Sequence, residues 1–444
     1  MLATRGALAV GVFAAASACS TDKILKVEDV DVATPASLST PTALPILLGG
    51  AVAQFHSAYI GTGNNNESSG QIGYSGLLAD EFRSSDTFPT RNQVDQRAIQ
   101  LDNTSNESQF IILSQARAAA QIASTRYKEF GPSQPGLALA YALDGYSTIL
   151  FGEDYCSGVP FSTLTDAGAT IYGQPLATAQ IFQRAVAKFD SALAAPGVTA
   201  EYRNLALVGK ARAQLDLGLF ADAGATAKQV TPGFQFIVES SLTTSGQYNG
   251  VYTFNVNVKR LTLVDREGVN GLDYLTAGDP RISFTDRRAT GFDKSTNLIV
   301  SNKYSSRSSP AVLASYTEAQ LIVAESELAV NNYGGAGGTL EILNRLRAAA
   351  TFTPAAVLAP LPAAVGKPAQ VDQLFRERAF WLYLTAHRLG DMRRLIRQYA
   401  RTVDTVFPTG PFFKGNTYGA DVNFPVPEVE KNNPNFKGCI DRSA

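Results

Sequence analysis

The chain has 444 residues, 45% of them hydrophobic and only 17% charged. That is below the roughly 25% charge of an ordinary soluble domain, so a large core is affordable and charged surface is scarce. A net charge of −1 argues against a nucleic-acid binder, which needs a basic excess, and two histidines (His56 and His387) argue against a histidine-built metal site.

At the N-terminus, Arg5 precedes the apolar run Gly6–Ala16, which is too short for the about 20 residues of a membrane-spanning helix. A positive residue, a short apolar core and small residues describe a secretory signal over residues 1–18. The run ends in Ala16-Ser17-Ala18-Cys19, which resembles a bacterial lipobox with Ala16 in place of the usual leucine. The resemblance implies lipidation at Cys19, and Ser20 after it implies sorting to the outer membrane. Residues 19–42 read as the lipidated cysteine and a flexible polar tether, and 43–444 as a single domain. In an exported protein Cys156 and Cys439 either join in a disulfide or remain two separate thiols.

Past the tether the pattern is mainly α. Apolar residues recur at helical spacing over Ala43–Tyr59, Asn106–Phe130, Gly136–Phe151, Ala177–Ala195, Glu201–Leu217 and Ala221–Val230. The same spacing continues over Val312–Asn331, Leu340–Ala350 and Val371–Arg401. Gly131-Pro132 and Pro196-Gly197 punctuate between helices. The helices flanking Gly218-Leu219-Phe220 look like a degenerate tetratricopeptide pair, with Ala211 and Ala223 as small residues at the crossing. The expected fold is therefore a tetratricopeptide-like helix-pair solenoid with irregular loop and β-hairpin insertions. The Gly-rich run Tyr333–Gly338 lacks the lysine of a phosphate-binding loop and reads as a turn. Two stretches, 61–97 and 231–310, resist helical assignment. Within the second, Val251–Val256 and Arg260–Val264 alternate like short strands. Such insertions on a rigid scaffold are where binding residues concentrate.

No Gly-x-Ser-x-Gly, His-Glu-x-x-His or Cys-x-x-Cys is present, and carboxylate pairs such as Asp80/Glu81 and Glu325/Glu327 read as structural rather than as a glycosidase dyad. The late helix Val371–Arg401 carries an apolar stripe through Phe375, Ala379, Leu382, Ala386, Leu389, Met392 and Ile396. Its polar side holds Arg376, Glu377, Arg378, His387, Arg388, Asp391, Arg393 and Arg394, with Arg388, Asp391 and Arg394 spaced to pair, and the run reads Glu377-Arg378 and then His387-Arg388-Leu389-Gly390-Asp391-Met392-Arg393-Arg394. This order resembles the C-terminal helix of the SusD/RagB family, with Trp381, Thr385 and Ala386 standing where that family usually has Glu, Glu and Gly. Asp279-Pro280-Arg281-Ile282, Leu343–Arg347, the helix end Leu150–Pro160 with its insert at Asp154–Ser157, and Phe424–Pro427 followed by Glu430 and Asn433–Asn435 resemble further elements of the same family in the same order.

The resemblance implies an outer-membrane, surface-exposed nutrient-binding lipoprotein. It would be membrane-associated only through its lipid, and would deliver a glycan, or a peptide, to a TonB-dependent, SusC-like transporter. No catalysis, cofactor or metal is implied. For the ligand face, the chain has one tryptophan, Trp381, which reads as mid-helix packing, and 17 tyrosines. Tyr74, Tyr248, Tyr252 and Tyr274 lie in the irregular stretches and form the expected aromatic platform, with Asp80, Gln247 and Asn64–Asn66 as polar partners. A competing reading is a tetratricopeptide-type scaffold lipoprotein for envelope assembly, in which the insertions would be idle.

Overall fold

The computed structural model describes residues 38–63, 68–165 and 169–444. The signal, Cys19, most of the tether and Asn64–Asn66 lie outside the described residues. The early helices are α1 (Leu44–Tyr59), α2 (Gly70–Leu78), α3 (Pro89–Asp95), α4 (Thr104–Phe130), α5 (Gly136–Asp154) and α6 (Thr178–Ala194). They are followed by α7 (Ala200–Asp216), α8 (Phe220–Ala227), the single turn α9 (Gly250–Tyr252), α10 (Tyr316–Ala329), α11 (Thr339–Ala349), α12 (Lys367–Trp381) and α13 (Arg388–Tyr399). Side-chain caps start several of them. Asn103 accepts from the Asn106 N–H at 2.9 Å, Thr199 from Tyr202 at 3.2 Å and Ser315 from Glu318 at 3.1 Å.

The helices stack as neighbours in chain order, with α4 on α1, then α5, α6, α7 and α8 each against the one before, α10 against α8 and α11 against α10. Helix α5 lies inside this stack, and all its residues but Tyr141 are buried. The close approach requires glycine: a Cβ on Gly145 would meet the Phe189 ring at 2.7 Å and one on Gly152 the Phe182 ring at 2.6 Å. Ala211 and Ala223 are fully buried where α7 crosses α8, which is the tetratricopeptide geometry. Among the described residues only two-stranded pairs accompany the helices, including Phe82–Ser84 with Leu261–Leu263, Gln235–Val238 with Ala311–Ser315, and Phe284–Thr290 with Asn297–Ser301. Cys156 and Cys439 form a disulfide with Cα atoms 5.9 Å apart, which ties the C-terminal tail to the end of α5. None of the described helices is long and apolar enough to cross a membrane.

Four expectations change. Stretch 61–97 is partly helical, through α2 and α3; α2 is buried on every side, so it shows no amphipathic period. Val251–Val256 is not a strand but a helical turn capped by Asn249, whose Oδ1 accepts from the Tyr252 N–H at 2.7 Å. The start of Val312–Asn331 is a strand, Ala311–Ser315, and α10 begins only at Tyr316. The late helix is two helices, α12 and α13, separated by a break in which Leu384 and Ala386 take the left-handed conformation (φ 54° and 57°).

Candidate functional site

The break between α12 and α13 turns the polar side of the late helix inward. Arg378 grips Asp391 with two bonds of 2.8 and 2.9 Å, and Arg394 bridges Asp391 (2.7 Å) and Glu325 of α10 (3.1 Å). Burial opposes the Asp391 charge, but the two guanidiniums prevail and hold its carboxyl below the usual range. Arg393 donates to the carbonyls of Gly152 (2.9 Å) and Tyr155 (3.1 Å), satisfying carbonyls at the buried C-terminal end of α5. Arg212 binds Glu153 at 2.7 Å, and its Nη1 lies 2.9 Å from His387 Nε2, which is 3.1 Å from Glu318. These groups are buried and, apart from Arg393 on its carbonyls, paired with one another, so they join helices rather than face solvent.

The structure separates the expected ligand residues. Tyr74 is interior, its ring stacked on Phe424 at 4.9 Å. Asp80 is fully buried and bound by Arg388 through bonds of 2.6 and 2.8 Å. Tyr274 is fully buried against Tyr383 and Phe380, with ring centroids 4.6 and 5.2 Å away. These three are corrected from ligand-facing to packing residues, because the insertions that carry them fold into the core. Tyr248 and Tyr252 are half-buried, with Arg307 over the Tyr248 ring at 5.1 Å, and Gln247 is exposed.

A different group of residues meets at the C-terminal end of α12. A cleft of about 370 Å³ is lined by Arg281, Ser283, Ser301, Asn302, Lys303, Phe352, Phe380, Trp381 and Tyr383. A smaller cavity of about 200 Å³, floored by Glu318, Thr385 and His387, shares Lys303 and Trp381 with it. Trp381 is the last residue of α12 rather than a mid-helix one; it packs against the core while staying half-buried. Its indole N–H donates to Glu377 at 3.2 Å, and the Arg281 guanidinium lies over its ring at 4.9 Å. Arg281 is itself neutralised by Asp279 (2.6 Å) and Glu377 (2.7 Å). Sequence contained a signal for this position: Trp381 stands four residues after Glu377, on the polar side of the helix and off the apolar stripe.

Lys303 is an exposed residue, but its ammonium end is turned in to donate to the Tyr383 carbonyl at 2.5 Å, and burial of that end pushes it down to about 8. Behind it, Glu81 is buried and accepts from the Leu384 N–H at 2.8 Å. Burial is the main cause that pushes the Glu81 carboxyl up to about 8. The cleft thus combines a fixed aromatic ring with hydroxyl, amide and ammonium groups. Among the described residues, no three His, Cys, Asp or Glu side chains cluster as a metal site.

No protein-family model and no curated protein matches the sequence. Solved structures do match. A SusD superfamily protein from Parabacteroides distasonis is 12% identical with a TM-score of 0.67, covering 89% of this chain and 98% of that one. A SusD superfamily protein from Bacteroides vulgatus is 13% identical with a TM-score of 0.62, covering 90% and 99%. A SusD-like carbohydrate binding protein, also from Bacteroides vulgatus, is 12% identical with a TM-score of 0.61, covering 89% and 97%. Over about nine-tenths of its length, the chain has the mainly helical fold of the SusD superfamily.

Proposed function

We propose that the protein is a SusD-type saccharide-binding protein that captures a glycan in the Trp381 cleft and passes it on unaltered. The observation that carries this reading is the chain's one tryptophan, half-exposed at a helix end and held by Glu377 and Arg281 beside Ser283, Asn302 and Lys303. A flat ring offers the apolar face of a sugar a surface, while hydroxyl and amide groups match its hydroxyls. Because the ring is already held in place, little ordering entropy is lost on binding. The SusD-like fold and the carbohydrate-binding neighbour support the same class.

Delivery to a TonB-dependent, SusC-like transporter and lipid anchoring at Cys19 on the outer membrane complete the proposal. They rest on the lipobox-like segment and the ordered motifs of the sequence. The test is calorimetry against a panel of oligosaccharides with the wild type and Trp381→Ala, with thermal melting as the folding control. At least a tenfold loss of affinity is expected in the variant. A saccharide that binds Trp381→Ala as tightly as wild type would move the site elsewhere.

A further inference from the structure

The charges around the cleft do not balance, and the imbalance falls on one atom. Arg281 is paired with Asp279 and Glu377, and Glu377 also takes Arg347 at 2.6 Å, so these four groups neutralise one another. His387 and Glu318, on the floor of the adjoining cavity, are tied to each other and to Arg212. Lys303 has no such partner. Its nitrogen donates to the Tyr383 carbonyl and lies 5.9 Å from the Tyr304 ring, and among the described residues no carboxylate forms an ion pair with it. The carboxylate facing it from the core is Glu81, which is buried and spends one oxygen on the Leu384 N–H. An ammonium has three donors, of which the Tyr383 carbonyl occupies one. It stands on the wall shared by both cavities, in contact with the space beside Trp381.

From this we infer that the cleft is built for an anionic saccharide, one whose carboxylate or sulfate completes the ion pair at Lys303 while a neighbouring ring lies on Trp381. The inference rests on the cleft being the saccharide site and adds the class of sugar. A neutral sugar would leave the ammonium without an ion-pair partner in a partly desolvated wall, whereas an anionic one gains a charge-assisted bond there.

Trp381 is the only tryptophan, so its fluorescence reports occupancy of this cleft directly. The probes are trigalacturonate, its neutral methyl ester, and a sulfated chondroitin disaccharide with its unsulfated counterpart. They are titrated into wild type, Lys303→Met, Lys303→Arg and Trp381→Ala, with calorimetry as the readout for the last. The expected result is that a charged member binds wild type at least tenfold more tightly than its neutral or less charged counterpart. Lys303→Met erases that preference and Lys303→Arg restores part of it. The uronate and sulfate arms tell which anion is preferred. If paired members bind equally while Trp381→Ala abolishes binding, the anionic class is refuted and the cleft stands; if Lys303→Met keeps the preference, the pairing of the anion with Lys303 is refuted. If Trp381→Ala binds as wild type does, the cleft itself is refuted. If no anionic probe binds while a neutral oligosaccharide does, the inference is likewise overturned.

Discussion

Asp80 separates a ligand-facing role from a structural one, because the two make opposite forecasts for the same substitution. In the structure Asp80 accepts two bonds from Arg388 and a third, at 3.1 Å, from the Leu272 N–H, all out of solvent. Asp80→Asn keeps the shape, removes the charge and sets an amide N–H₂ against a guanidinium. Breaking one side of a buried pair costs about 3–5 kcal/mol, mostly because the remaining charge stays buried without a partner. At about 2.1 cal/mol/K per residue, a body of about 400 residues has an unfolding entropy of about 0.8 kcal/mol/K, so the melting temperature should fall by about 4–6 °C. Differential scanning calorimetry reads this directly. The double variant Asp80→Leu/Arg388→Met removes both charges and should recover part of the loss, since no lone charge remains. An Asp80→Asn protein that melts within about 1 °C of wild type but loses ligand would refute the structural assignment.

Cys439→Ser removes a cross-link between residues 283 apart in sequence and should lower stability by about 2–5 kcal/mol in denaturant titrations; reduced wild type should match it. Ala386→Gly relieves a left-handed residue and should stabilise by up to about 1 kcal/mol, whereas no gain would mean that the surrounding bonds hold that turn at no cost. Lys303 and Glu81 sit near 8 for the same reason, burial, so below that pH the first is charged and the second protonated, and above it both lose a proton. Of the other groups facing Lys303, Arg281 keeps its charge, burial holds Tyr304 and Tyr383 protonated, and Glu318 and His387 are engaged with Arg212. An anionic saccharide should therefore bind about tenfold more weakly at pH 9 than at pH 7 in calorimetric titrations, and a flat profile would contradict the role given to Lys303.

Much of the scaffold was legible because its helices announce themselves locally. Helices α1, α4 to α8, α10 and α11 begin and end within a few residues of their apolar periods, at Gly131-Pro132, Pro196-Gly197 and the Gly-rich turn after Tyr333. What was not legible depends on contacts distant in sequence. Nothing in Leu382–His387 stops a helix: no glycine or proline interrupts the stripe, and the left-handed turns at Leu384 and Ala386 are held from outside. Glu81 accepts from the Leu384 N–H, Tyr304 donates to the Leu384 carbonyl at 2.7 Å, and Arg212 donates to the Ala386 carbonyl at 3.0 Å. Tyr74 and Tyr274 drop out of the expected platform for a related reason. Residue type marks Tyr74 and Tyr274 as fit for a binding face, but only tertiary packing shows that the insertions bearing them are folded inward.

The break links architecture and cleft through shared atoms. Without it, α12 would run on past Trp381, and the indole would sit mid-helix instead of at an end beside the Asn297–Ser301 strand and its following residues. The same six residues supply the Tyr383 carbonyl that holds Lys303 and the Leu384 N–H that holds Glu81. The buried Arg378–Asp391–Arg394 pairing then locks α13 against α12 on the far side of the break, so the turn cannot relax into a straight helix without undoing those pairs. The arginines and carboxylates that resemble the SusD/RagB pattern would therefore act on a saccharide in the proposed cleft only indirectly. They fix a strained turn, and the turn sets where the tryptophan and the lysine stand.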